Sequence, residues 1–209
     1  LLHDTASVVP CVKLVDDEFV VNVDDHEEGE ELSCSHGDYS DAETFARFGM
    51  SAFYSAEKNA RNKIKFAFPS DIYSIKSLDR CGSIEDIAFT DAGATEELMC
   101  ALRLTSANET EWAAISKSKA SVRALRKKPL SEESEIAVYE ALFATLTELL
   151  NSYPSSDNED ERLLQSRTLQ SAPDEERAVT IRLREKRLAL SSLNAVQYAG
   201  RQQLGGLLF

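Results

Sequence analysis

The sequence predicts an α+β protein in which short β-strands precede a mainly α-helical part. Apolar and polar residues alternate in "KLVDDEFVVNVDD", which is typical of a β-hairpin, whereas apolar residues recur at three- and four-residue steps after Ser131. With 209 residues and 43% apolar composition, the chain can bury a core as one large domain or as two smaller ones. We place the domain boundary after residue 93, which gives domains at 1–93 and 94–209.

The amino-terminal part is expected to begin with a hairpin that turns at Asp16 and Asp17, with apolar positions at Val12, Leu14, Phe19, Val21 and Val23. Residues 38–48 predict a turn and a short helix. Short extended segments then pass through Pro69 and Gly82, where a helix is disfavoured.

Helices are predicted for most of the chain after Gly93. Thr95 is a candidate cap for "EELMCALRLTSA", and a second helix is expected through "ETEWAAISKSKASVRAL", with Trp112 and Ile115 toward the core. Ser131 opens a helix to about residue 151. Pro173 opens a long final helix to about Gln203, and its apolar members include Val179, Leu183, Leu190, Leu193 and Val196.

The negative charge is concentrated at the amino end. Residues 1–45 contain 13 acidic side chains and one lysine, so they carry −12 of the net charge of −13. Such a surface repels nucleic acid and anionic lipid and favours a basic protein partner, although a solvated face that keeps the protein in solution explains it equally well. The candidate partner-binding residues are Asp16, Asp17, Asp24, Asp25, Glu27 and Glu28. Without a glycine-punctuated loop we expect no calcium site there, and we expect no other metal site.

The cysteine pattern predicts reduced thiols. Cys11, Cys34, Cys81 and Cys100 lie far apart without a Cys-x-x-Cys pair, so neither a zinc site nor a disulfide framework is expected. We therefore expect an intracellular, reducing compartment. No apolar run reaches the ~20 residues of a transmembrane helix, and no signal or transit peptide is recognisable. The chain begins at Leu1 rather than at methionine, so we expect upstream sequence to be missing.

Several segments in order resemble a known family. "GEELSCSHGDYSDAETFARFGM" is similar to the end of a SET domain, and "LSEESEIAVYEALFATLTELLNSYPSSDNEDERLL" and "AVTIRLREKRLAL" resemble the helical substrate-binding domain of the Rubisco large-subunit lysine methyltransferase group. The matching details are "ESE", "SYP" before "EDE", and an Arg-x-x-Glu-Lys near the last helix. The resemblance implies a remnant SET-type β segment followed by a substrate-binding-like helical domain.

The chain departs from this family at positions that would serve catalysis. The resemblance puts His36 where the family has a tyrosine that orients the target lysine, and Phe48 where it has an aromatic hydroxyl. The Asn-His pair that meets S-adenosylmethionine would fall at Leu2 and His3, and the donor-binding Gly-x-Gly has no counterpart. His36 could instead act as a base, but methyl transfer needs a shaped channel that tolerates little misplacement.

The resemblance and its departures predict a catalytically silent relative of these methyltransferases, a pseudoenzyme without a cofactor. We expect it to act as a protein-binding or structural subunit of a larger assembly. The alternative is the carboxy-terminal portion of an S-adenosylmethionine-dependent protein-lysine N-methyltransferase. Family analogy favours a chloroplast stroma location, with the cytoplasm and the mitochondrion as alternatives.

Overall fold

A computed structural model describes residues 12–15, 18–21, 40–48, 62–68, 78–115, 117, 119–166 and 172–205. The chain divides into two compact units, residues 1–62 and 63–209. Its content is mainly helical with short antiparallel strands, which confirms the predicted α+β class.

The first unit contains the predicted hairpin and the predicted short helix. Strand β1 (Val12–Val15) pairs antiparallel with β2 (Glu18–Val21), and Leu14 lies opposite Phe19. Helix α1 spans Asp41–Phe48. It begins with a reciprocal cap, because the Glu43 carboxylate accepts from the Ser40 backbone N–H while the Glu43 N–H donates to the Ser40 hydroxyl.

The second unit begins with a three-stranded antiparallel sheet in the order β3 (Ile64–Lys65), β4 (Ala88–Thr90) and β5 (Gly93–Ala94). Phe89 lies at its centre, opposite both Ile64 and Ala94, and is fully buried. Thr95 then caps helix α2 (Glu96–Ser106), as predicted, because its hydroxyl accepts from the Leu98 N–H. The same hydroxyl donates to the Asp86 carbonyl at 2.6 Å, which ties the helix to the loop before β4.

The segment expected to form one helix after α2 is divided into two. Helix α3 spans Glu109–Ile115 and helix α4 spans Lys119–Ala124. The intervening "SKS" has low helix propensity, because serine side chains compete for backbone hydrogen bonds. The expected inward positions are confirmed, since Ile115 is buried and Trp112 packs partly buried against the core.

The two long predicted helices are present and pack against each other. Helix α5 spans Glu132–Ser152 and is capped by Ser131, and helix α7 spans Pro173–Leu204. Between them, α6 (Asp157–Gln165) packs on α7 in a segment for which we predicted no helix. The core is apolar and draws on the sheet and the helices, with Leu78, Ile87, Phe89, Leu98, Leu104, Val122, Val138, Leu142, Leu146, Ala189 and Val196 among its buried residues.

Leu190 of α7 departs from the predicted buried stripe. Val179, Leu183 and Val196 are buried, whereas Leu190 is 46% exposed. Leu190 follows the fully buried Ala189, and one residue along an α-helix turns the side chain by about 100°. In the part of the chain that the structure describes, no helix is both long and apolar enough to span a membrane.

The expectation of reduced thiols is wrong for two of the cysteines. Cys81 and Cys100 form a disulfide, with their Cα atoms 5.6 Å apart and 19 residues apart in sequence. Between the two cysteines, the antiparallel strands β4 and β5 reverse the chain direction. This reversal brings α2, which carries Cys100, close to the 3-10 turn at Leu78–Arg80 that precedes Cys81. Both residues are fully buried, and the bridge joins that turn to α2 within the core.

Candidate functional site

The site residues proposed from the sequence lie outside the described residues, with one partial exception. Phe48 is the last residue of α1, but its side chain lies outside the described part. The others are Leu2, His3, Asp16, Asp17, Asp24, Asp25, Glu27, Glu28 and His36. Their roles in catalysis, cofactor binding and partner binding therefore stay predictions.

The most highly charged buried feature in the described residues is a cluster around Asp160, which we call the Asp160 cluster. Asp160 of α6 is fully buried and accepts from Lys186 Nζ at 2.7 Å and from Arg182 Nε at 3.1 Å, both on α7. A second Arg182 nitrogen donates to the other carboxylate oxygen, as does the Ser155 hydroxyl at 2.7 Å. Each carboxylate oxygen thus has two donors.

Lys186 is held by three acceptors. Besides the Asp160 carboxylate, its ammonium donates to the Ser155 carbonyl at 2.6 Å and to the Ser155 hydroxyl at 3.2 Å. The ammonium also lies 5.4 Å from the centre of the Tyr153 ring, within range of a cation–π interaction. Since an ammonium has only three donors, the cluster is suited to fixing structure rather than to nucleophilic or base chemistry.

The electrostatics of the cluster favour its charged form. Burial alone would raise the pKa of Asp160, but hydrogen bonds from Arg182, Lys186 and Ser155 outweigh it and hold that pKa well below its usual range. The hydrogen bond to Asp160 likewise raises the pKa of Arg182. The carboxylate therefore stays ionised at neutral pH, and α6 is joined to α7 by a fully hydrogen-bonded ionic contact.

Two further titratable groups lie at the edge of the cluster. Burial, followed by the charge of Glu185, raises the pKa of Tyr153 to about 12. Burial also raises the pKa of Glu185. Both raised pKa values indicate that this edge of the Asp160 cluster is poorly solvated. The Tyr153 phenol therefore stays protonated, and ionisation of the Glu185 carboxyl is disfavoured.

The chain reaches the cluster through a tight turn between α5 and α6. Helix α5 ends at Ser152, and α6 begins with a capping box in which Ser156 and Glu159 each satisfy the other's backbone N–H. This cap fixes the first turn of α6 and so places Asp160 toward α7. Pro173 at the first position of α7 then directs the return of the chain.

An open groove of about 420 Å³ adjoins this turn. Its lining residues are Pro154, Ser155, Glu159, Arg162 and Leu163. Leu163 is 43% exposed and Pro154 is exposed, so apolar surface lies beside one acidic and one basic side chain. Ser155 and the neighbouring Asp160 belong to the cluster, which makes one wall of the groove rigid. The groove is therefore open to solvent, of mixed polarity, and supported on one side by the cluster.

A second buried ion pair supports the opposite end of α5. Arg103 of α2 and Glu135 of α5 are each about 2% exposed, and they form a bidentate pair with Nε 2.8 Å from Oε2. Arg103 also donates to the Leu125 carbonyl at 2.7 Å, so it joins α2, α5 and the turn after α4. The adjacent Ser134 hydroxyl donates to Glu111 of α3 at 2.8 Å.

The motifs of the family resemblance account for these contacts. Arg182, Glu185 and Lys186 are the Arg-x-x-Glu-Lys, Asp160 is the centre of "EDE", and Tyr153 belongs to "SYP". The "ESE" motif supplies Ser134 and Glu135, which make the contacts at the amino-terminal end of α5. The motifs are recognisable in the sequence, but their meeting was not predicted, because Arg182 and Lys186 lie more than 20 positions from Asp160.

Comparison with known proteins identifies a family for this part of the chain. A family model described as Rubisco LSMT substrate-binding matches residues 69–188, which is more than half of the chain. The matched range runs from before the 3-10 turn at Leu78–Arg80 to the middle of α7, and it includes both ion-pair clusters and the groove. No curated protein matches the chain.

Proposed function

The chain belongs to the Rubisco LSMT substrate-binding family, and from this premise we propose that residues 63–209 bind a protein partner. The family match across residues 69–188 is the observation that carries the proposal, since a substrate-binding domain of a protein methyltransferase holds a protein. The groove beside the Asp160 cluster is the surface we assign to this contact.

The groove has the features that such a contact needs. Exposed Leu163 supplies an apolar anchor, while Glu159 and Arg162 offer charges of both signs at its edge. Interfaces gain most of their affinity from a few desolvated anchors surrounded by a polar rim. The neighbouring ion pairs hold the helices in place, so little conformational freedom is lost when a partner binds.

Catalytic silence is the second part of the proposal. It is supported by the sequence positions described above: His36 in place of tyrosine, Phe48 without a hydroxyl, and Leu2 before His3 in place of the asparagine. A partner is then held without methyl transfer, as a structural or scaffolding role in a larger assembly requires. Calorimetric titration with S-adenosylmethionine should show no binding. Micromolar or tighter binding would contradict the proposal that the chain is catalytically silent.

The alternative function is that of an active protein-lysine methyltransferase of which this chain forms the carboxy-terminal portion. The same family match favours it, because the family takes its name from such an enzyme. Incubating the product of the full gene with radiolabelled S-adenosylmethionine and extract proteins distinguishes the two. Label transferred to a protein supports the enzyme, and its absence supports the silent relative.

Site-specific cross-linking tests the protein-binding claim. A photoreactive benzoyl-phenylalanine replaces Leu163 in the groove, and a matched variant carries it at Leu190, which is similarly exposed on α7. We expect one protein from native extract to cross-link at position 163 and not at position 190. Equal labelling of the same proteins at both positions would show collision rather than binding and would contradict the proposal.

A further inference from the structure

A basic surface lies on α4 and on its two flanking turns. Six of the 23 lysines and arginines of the chain fall within residues 112–131, and none of its 36 acidic residues does. Lys117, Arg123 and Lys128 are exposed, and we call these three residues the α4 basic surface. Its charge is opposite to the net charge of −13 of the whole chain.

The orientation of this surface is set by the apolar residues of the same segment. Val122 and Leu125 are buried at 0% and 3% exposure, because α4 packs against α2 and the 3-10 turn at Leu78–Arg80. Arg123 therefore points to solvent from a helix whose other side is anchored in the core. Arg123 is thus displayed on a supported helix, and Lys117 and Lys128 are exposed in the segments on either side of it.

The neighbouring cations Arg126 and Lys127 form contacts within the fold. Arg126 donates to the Cys81 carbonyl at 3.1 Å and pairs with Glu97 at 3.2 Å. Lys127 pairs with Glu96 at 3.6 Å. Among the described residues, no ion pair joins Lys117, Arg123 or Lys128 to a carboxylate.

We propose that the α4 basic surface binds an acidic segment of a protein. This rests on the proposed function in one respect, that the partner is a protein, and it adds a contact distinct from the groove. The surface runs from Lys117 to Lys128, a twelve-residue segment in which α4 covers Lys119–Ala124. Glu132 and Glu133 at the start of α5 limit the surface to that length.

An acidic peptide fits this surface better than a nucleic acid does. Binding a long polyanion requires a continuous basic footprint, and the remaining charge of this chain is strongly negative. A short acidic segment needs only the local cations, and complementary charge also guides its approach. Because the surface is exposed, the attraction should weaken as salt shortens the screening length to about 8 Å near physiological ionic strength.

Fluorescence anisotropy with a labelled twelve-residue peptide of Glu, Asp and Ser tests the proposal on the full chain. The test variant combines Lys117→Glu, Arg123→Glu and Lys128→Glu, which breaks no ion pair among the described residues. The matched variant combines Lys65→Glu, Arg187→Glu and Arg201→Glu, which changes the net charge equally at exposed sites on β3 and α7 and removes the exposed Lys65–Glu85 and Arg187–Glu161 pairs. Circular dichroism melting verifies that both variants are folded.

We expect the wild-type chain and the matched variant to bind the acidic peptide, with affinity that falls as salt rises. The test variant should bind about tenfold more weakly or worse, as expected for the loss of three exposed charge pairs. Absence of peptide binding by the wild type, equal loss in both variants, or tighter binding of a single-stranded RNA of the same length would each overturn the proposal. The cross-linking test at position 163 is repeated in the test variant. If cross-linking persists while peptide binding fails, the α4 basic surface proposal is wrong but the proposed function is unaffected.

Discussion

Lys186 Nζ lies 2.7 Å from Asp160 Oδ2, and side-chain exposures of 3% and 0% keep both charges out of solvent. The pair joins α7 to α6 and forms one support of the adjacent groove. A buried pair of this kind adds little stability relative to an apolar replacement, but removing one partner strands the other charge in a poorly solvated site. The consequences of that asymmetry can be measured.

Asp160→Ala should destabilise the chain by about 3–5 kcal/mol, because Lys186 and Arg182 lose their shared carboxylate. Glu161→Ala is the matched change, since Glu161 makes an exposed ion pair with Arg187 on the same two helices. That variant should lose less than about 1 kcal/mol. Urea unfolding followed by circular dichroism measures both, and equal losses would contradict the role of the Asp160 cluster.

Asp160 should also make stability sensitive to acid. Its folded-state pKa is depressed, so its contribution is fully present above the unfolded-state pKa of about 3.9 and is lost as pH falls from there toward the folded-state pKa. Unfolding free energies measured from about pH 2.5 to 6 should therefore fall steeply below about pH 4. Asp160→Asn should flatten that decline, and an unchanged slope in this variant would contradict the assignment.

Glu185 should act with the opposite sign. Burial raises its folded-state pKa, so its contribution is present below the unfolded-state pKa of about 4.3 and is lost as pH rises through the folded-state pKa. Glu185→Gln should therefore gain stability relative to the wild type at pH 7 but not at pH 4. Thermal melting at these two pH values measures the difference, and a variant less stable at pH 7 would refute the prediction.

The disulfide between Cys81 and Cys100 should contribute to stability. A loop of its size is expected to be worth about 3 kcal/mol through the entropy of the unfolded chain. The double replacement Cys81→Ala with Cys100→Ala should lower the urea midpoint. Peptide mapping under non-reducing conditions should recover the linked pair, and recovery of two free thiols from the native protein would contradict the bridge.

The packing of α5 against the core is tested by two aspartate substitutions. Leu146 is fully buried, so Leu146→Asp should unfold residues 63–209, because an unpaired charge cannot be accommodated there. Leu190 is 46% exposed, and Leu190→Asp should change the melting temperature little. Limited proteolysis compares the two variants, and similar resistance of both would place Leu146 outside the core.

The sequence predicted the elements whose signal is local. The cap residue Ser131 and the apolar residues at three- and four-residue spacing after it predict α5, and the cap residue Thr95 predicts α2. Both signals lie within a few residues of the helix start. Helix α6 was not predicted, although Ser156 and Glu159 offer a local capping-box signal, because "NEDERLLQ" has a short apolar pattern and its partners on α7 lie more than 20 positions away. The Asp160 cluster was hidden by that separation, and the disulfide by the 19 positions between Cys81 and Cys100, which form no recognisable motif.

The most direct test of the central claim is the affinity of the cross-linked partner for groove variants, measured by surface plasmon resonance once that partner is identified. Leu163→Asp removes the exposed apolar anchor of the groove, whereas Leu190→Asp makes the same change on exposed α7 surface. Our account predicts a loss of about 2 kcal/mol or more, roughly thirtyfold, for Leu163→Asp, and nearly unchanged binding for Leu190→Asp. Wild-type affinity in the Leu163→Asp variant would contradict the assignment of this groove as the protein-binding site.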